Sequence, residues 1–228
     1  MKRLINYFSK GELALWICSV AAVLAAFLMF DRVNWMTLAA SLIGVTSLIF
    51  AAKGHPAAQA MMIVFALLYG VISWQFTYYG EMVTYVFMSL PMAVFSLISW
   101  LRHPSDKKNE VRVNSLRAPE YALMAFLAAA VTAAFYFILR YFNTANLVPS
   151  TISVTTSFVA VYLVFRRSPL YAAAYAANDV VLVILWTLAS VEDIRYISVV
   201  VCFAAFLVND IYGFINWRRM ARRQAQSA

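Results

Sequence analysis

Charge is what this sequence has least of. Asp, Glu, Lys and Arg make up 12% of its 228 residues, about half the roughly 25% carried by soluble domains. With 64% hydrophobic residues and a mean hydropathy of +0.76, that scarcity argues against a globular cytosolic fold. Cysteine is nearly absent as well. Cys18 and Cys202 both lie inside apolar runs, where small buried hydrophobes are expected, not a disulfide or a metal site. The two histidines, His55 and His103, fall in loops between such runs. There is no HExxH, no glycine-rich phosphate loop and no Cys/His ligand spacing. We therefore expect no catalytic residue, no metal and no cofactor, and so not an enzyme.

What is there is hydrophobic length. Eight apolar segments run near 12–30, 33–52, 57–78, 82–101, 118–142, 150–165, 169–190 and 194–217, and 228 residues leave room for several spans of about 20 residues each. The first is longer than a signal-peptide core and runs into Asp31-Arg32 where a small-residue cleavage motif would stand, so it reads as a retained helix. Pro91 lies inside the fourth segment and should bend it. Eight spans put both termini on one side. Fifteen of the 18 Lys and Arg residues then fall on that side, with only Arg32, Arg140 and Arg195 opposite, which assigns the termini to the cytoplasm. The net charge of +8 is thus a topology signal and a lipid-surface contact, and nucleic acid is not expected as a partner.

An internal repeat follows from the punctuation. Gly54-His55-Pro56 and Arg167-Ser168-Pro169 each open a helix that ends near a tryptophan, Trp74 or Trp186. An acidic turn comes next, then a helix closing as ISWLR (Ile98 to Arg102) or INWRR (Ile215 to Arg219). The expected fold is an all-α integral membrane protein of eight transmembrane helices, built as a parallel 3+1+3 repeat with one extra helix at the N-terminus. Its parts are an N-terminal helix at 1–32, a first triple at 33–101, a loop and linker helix at 102–142, a second triple at 143–217 and a basic tail at 218–228. Parallel repeats with a solute site near the midplane are a transporter architecture.

Asn178 and Asp179 stand side by side within the seventh segment. An acidic side chain at mid-bilayer costs about 2.5–3.5 kcal/mol on insertion scales, so it implies a protein-lined or watered interior. Trp186 returns to the face of Asp179 seven residues on. The last segment carries NDIYGFINW, where Asn209, Tyr212 and Asn216 share a face and are expected as the second wall. Trp74, Gln75, Tyr78 and Tyr79 are the candidates in the first repeat, and Thr151, Thr155 and Thr156 add hydroxyls. The alternative for Trp74, Tyr78, Tyr79, Trp100 and Trp217 is an aromatic belt at the membrane surface. The threonines otherwise bond within their own helix, and Asp210 otherwise reaches the cytoplasmic interface.

YGVISWQFTYYGEM (Tyr69 to Met82), followed by Leu90-Pro91, resembles the first half of the PnuC nicotinamide riboside transporters. NDIYGFINW, with Asn178 on the preceding helix, is similar to that family's C-terminal signature. The resemblance covers roughly residues 34–219. In one place the chain departs from the pattern, with Tyr171 and Ala174 where the family often has a tryptophan pair. The resemblance implies a bacterial inner-membrane facilitator with the architecture of the SWEET sugar transporters, working by alternating access. A cytoplasmic riboside kinase would trap the solute. It also implies a homo-oligomer, with a trimer as the guess, and puts substrate contacts on Trp74, Gln75, Asn178, Asn209 and Tyr212. On physical grounds a tryptophan could stack on the pyridinium cation, Asp179 could supply its countercharge, and the absence of Lys or Arg at membrane depth favours a nucleoside over a nucleotide. Thiamine or a related vitamin, and a proton-coupled carrier, remain as alternatives.

Overall fold

A computed structural model describes residues 7–75, 79–107, 109–144 and 146–227. The described residues form eight helices long and apolar enough to cross a membrane. They are α1 (Lys10–Phe30), α2 (Trp35–Ala52), α3 (Ala57–Gln75), α4 (Tyr79–Arg102), α5 (Ala118–Tyr141), α6 (Leu147–Phe165), α7 (Tyr171–Ala189) and α8 (Ile197–Gln226). A short 3-10 turn, Ile194–Tyr196, precedes α8. Ser9 caps α1 reciprocally with Glu12, which satisfies two backbone groups that a helix start leaves open. The last helix runs through the basic segment to Gln226 and does not end at Trp217. There Met220 is buried, while Arg223 and Gln224 bind Glu110 of the 103–117 loop.

The first helix of each triple packs on the third helix of the other: α2 against α8, and α6 against α4. The linker α5 lies outside, mainly on α6, where Thr132 and Thr155 share a hydrogen bond of 2.7 Å. α1 leans on α8 and α2. Gly44 admits the Phe206 ring to the backbone of α2, where any Cβ would collide with it.

The repeat is most literal at the helix ends nearest the termini. Trp100 Nε1 donates to the carbonyl of Val164 at 3.0 Å, and Trp217 Nε1 donates to that of Ala51 at 2.8 Å. Beside them Ser99 donates to Phe165 O, and Asn216 to Ala52 O. Each pair therefore satisfies the last carbonyls of the opposite triple's first helix, which have no partner within that helix. The two indoles meet at 5.5 Å, fully buried. This corrects the aromatic-belt expectation for Trp100 and Trp217, since both are core residues. The turns match too. Gly54 and Arg167 both take a left-handed backbone, and His55 Nδ1 and Ser168 Oγ each accept the amide that starts the next helix.

Pro91 coincides with an irregular turn in α4. Lacking an amide hydrogen, it cannot continue the ladder. The preceding turn, Tyr85–Ser89, widens to a π turn in which Leu90 N bonds Tyr85 O.

Candidate solute site

Between the two triples lies a cavity with about 60 Å³ of open space, large enough to admit water. Its walls come from α2, α3, the π turn of α4, α6, α7 and α8. The polar part is formed by Gln59, Tyr85, Ser157, Tyr175, Asn178, Asp179 and Asp210, and the apolar part includes Phe65, Leu182, Phe203 and Phe206. No lysine or arginine is among the lining residues.

On α7 the cavity stripe is Tyr171, Tyr175, Asn178 with Asp179, and Leu182, the three-to-four spacing of one helix face. Asn178 Oδ1 accepts from Thr156 Oγ1 at 2.7 Å and from Ser157 Oγ at 3.0 Å. Held by its oxygen, the amide leaves its NH₂ group to donate into the cavity. On α8 the stripe is Phe203, Phe206 and Asp210. Asp179 and Asp210, 2% and 3% exposed, both line the cavity. Asp179 Oδ2 is buried without a partner. Asp210 therefore belongs to the cavity and not to the membrane interface. It stands seven residues before Trp217, about 10 Å deeper at 1.5 Å per residue.

Aromatic contacts stand on both sides of the cavity. On the side away from the termini, Tyr69 packs on Tyr85 at 4.4 Å and on Phe203 at 6.0 Å, with Trp186 at 6.3 Å. On the terminal side, Tyr171 meets Trp217 at 4.8 Å, and Trp217 meets Trp100.

Of the residues expected at the site, the structure brings Asn178 and Asp179 to the cavity. Trp186 lies on the same helix face but is packed into the aromatic layer, against Tyr69 and Tyr196. Asn209 faces α1, where its amide donates to Ser19 Oγ and to Ala205 O. Tyr212 donates to Glu12 Oε1, which also pairs with Lys53 at 3.2 Å. The face of Asn209, Tyr212 and Asn216 thus holds α1 and α2, while the opposite stripe of α8 meets the cavity. Trp74 is 59% exposed, against Tyr79, and Gln75 is exposed at the end of α3. Gln75 stands 16 residues beyond Gln59, about 24 Å along the helix. Tyr78 lies outside the described residues. Thr151 and Thr155 bond back to their own helix, and Thr156 reaches Asn178 as well as its own helix. Cys202 is buried as expected, whereas Cys18 lies on an exposed face of α1.

Gln59 and Tyr85 escaped sequence reasoning, which weighed Asp210 only as an interfacial group or a proton carrier. The available signals were Pro91, whose π turn carries Tyr85, and the three-to-four spacing of Phe203, Phe206 and Asp210.

The sequence model of the family described as nicotinamide mononucleotide transporter matches residues 34–219. Among characterised relatives, the nicotinamide riboside transporter PnuC of Neisseria mucosa is 21% identical over 217 residues, covering 93% of this chain and 82% of that protein. The PnuC of Haemophilus influenzae is 19% identical over 192 residues, covering 83% and 82%. A crystal structure titled as the vitamin B3 transporter PnuC superposes with a TM-score of 0.82 at 20% identity, covering 95% of this chain and 94% of that one. With the family match spanning all but the first helix and the basic end, and an eight-helix fold shared with a solved transporter, this chain belongs to the nicotinamide mononucleotide transporter family of membrane transporters.

Proposed function

We propose that this protein carries nicotinamide riboside inward across a bacterial inner membrane, with its termini in the cytoplasm. The observation that carries the reading is the make-up of the cavity. Two carboxyl groups, an amide with free donors and several aromatic rings line it, without any cationic side chain. Nicotinamide riboside matches each part. Its pyridinium cation meets Asp179 and Asp210, and a ring face there is worth about 0.5–2 kcal/mol depending on desolvation. Tyr85, Tyr175 and Phe206 are better placed for that contact than Trp74 or Trp186. The carboxamide and ribose hydroxyls meet Asn178 and Gln59. A phosphate would meet two acids and no base, so the nucleotide in the family's description fits this cavity less well than the riboside.

Transport follows as facilitated diffusion by alternating access. The cavity lies between an aromatic layer on one side and the Trp100–Trp217 pair beyond Tyr171 on the other, and its open space of about 60 Å³ is too small for a nucleoside. A nucleoside enters only when the triples part at one end. A cytoplasmic kinase would then retain the product as a phosphate ester, which this cavity disfavours. Assembly as a homo-oligomer is part of the same proposal. The test is binding and vesicle uptake of three solutes by the purified protein: nicotinamide riboside, nicotinamide mononucleotide and thiamine. Saturable passage of the riboside alone is expected, and preference for the mononucleotide or thiamine would overturn the assignment.

A further inference from the structure

The hold on Asn178 carries a further step, which rests on the cavity being a site for nicotinamide riboside. We propose that Thr156 and Ser157 are positioning residues. By occupying the oxygen of the Asn178 amide they make it a donor only, and so a selector for the carboxamide oxygen of the nicotinamide ring.

The geometry is that of a saturated acceptor. Asn178 Oδ1 accepts from Thr156 Oγ1 at 2.7 Å and from Ser157 Oγ at 3.0 Å, and a carbonyl oxygen has two lone pairs to give. The shorter contact has the usual O–H···O length. Thr156 has other acceptors in reach, Ile152 O at 3.0 Å and Ser153 O at 3.1 Å, but a hydroxyl has a single proton and Asn178 is its closest partner. Ser157 Oγ has no second partner among the described residues. Asn178 is buried, so bulk water does not compete for its oxygen. The reverse setting of the amide would turn its carbonyl toward a cavity that Asp179 and Asp210 already line with carboxyl oxygens. The NH₂ group is the end those walls favour.

Thr156 stands behind this contact. Asn178 and Ser157 are among the lining residues and Thr156 is not, so it acts on a solute only through Asn178. α6 and α7 belong to the same triple, and the clasp between them does not depend on how far the two triples stand apart. The solute chemistry follows. A ribose hydroxyl both donates and accepts, and it suits an amide free to turn. Gln59 is such an amide, since its side chain has no hydrogen bond among the described residues. The ring carboxamide oxygen only accepts, and it gains most from a donor that is already aimed.

The experiment is titration calorimetry of the intact detergent-purified protein with nicotinamide riboside and with the riboside of unsubstituted pyridine. The two share cation and sugar and differ in the carboxamide. Wild type is expected to prefer nicotinamide riboside by about tenfold, as for one well-made hydrogen bond. Thr156→Val keeps the side-chain shape and removes the hydroxyl. It should cut the preference to about threefold while leaving affinity for the pyridine riboside unchanged, and Thr156→Ser should restore it. In an Asn178→Ala background, Thr156→Val should alter the preference no further. Equal weakening of both solutes by Thr156→Val, or an unchanged preference, would overturn the positioning role and leave the substrate reading intact. A wild type that binds both ribosides equally would overturn the carboxamide assignment alone. Absence of riboside binding to the wild type would overturn the substrate reading and this assignment with it. If Thr156→Val does not stay monodisperse, Ser157→Ala read in the same way decides.

Discussion

The two triples are nearly interchangeable at their terminal ends and unlike at mid-membrane. At the ends, Ser99-Trp100 and Asn216-Trp217 make corresponding bonds to the opposite triple. The 103–117 loop ties both repeat turns, through Val111 N to Gly54 O and Asn114 N to Arg167 O. Deeper in, the second triple supplies Asn178, Asp179 and Asp210, while the first supplies Tyr85 and Ser89, with Gln59 nearer the start of α3. The duplicated part thus joins the halves, and the unduplicated part lines the cavity. Under the proposed alternating access, a pivot benefits from symmetry, because both triples would move against a common seam. A binding site for an asymmetric molecule does not.

The largest effect expected is on the seam. Trp217→Ala should cost about 3–5 kcal/mol, read as a lowered melting temperature in detergent. Trp100→Ala should cost a similar amount, because its bonds are the counterpart ones. A large inequality would break the equivalence of the ends. Next come the solute contacts. Asn178→Ala should weaken riboside binding at least tenfold, about 1.4 kcal/mol, with a smaller loss for Gln59→Ala on the first triple. Equal losses would erase the asymmetry. Pro91→Ala should let α4 close its π turn, shift Tyr85 and reduce affinity several-fold without lowering the melting temperature.

The smallest effect concerns the turns. Burial holds the His55 imidazole below its ordinary value of about 6.5, and its neutral Nδ1 caps α3. That contribution is complete above about pH 6.5 and is lost as the pH falls through the lowered value, because the unfolded chain takes up the proton first. Melting temperature should therefore drop as the solution is acidified from pH 7 to 5, by less in His55→Asn. Ser168, the corresponding residue in the second triple, does not titrate.

The sequence made the helices readable because membrane length and loop charge act on each segment separately. The repeat, Pro91 and the Asn178-Asp179 pair were legible for the same reason. The choice of stripe on α8 was not. Asn209, Tyr212 and Asn216 form as regular a face as Phe203, Phe206 and Asp210, and only packing decides which one meets α1. Trp100 and Trp217 sit at span ends as belt residues do. Their burial depends on the opposite triple, which no local pattern displays. Trp74 and Gln75 carry the expected chemistry but stand exposed at the far end of α3, off the cavity lining.

The central claim is that solute binds between the triples at Asn178, and not at the exposed end of α3. Titration calorimetry of wild type, Asn178→Ala and the Trp74→Ala, Gln75→Ala double variant with nicotinamide riboside tests it directly. The account predicts binding lost in Asn178→Ala and retained within about 0.5 kcal/mol in the double variant. Retained binding in Asn178→Ala, with loss in the double variant, would contradict it.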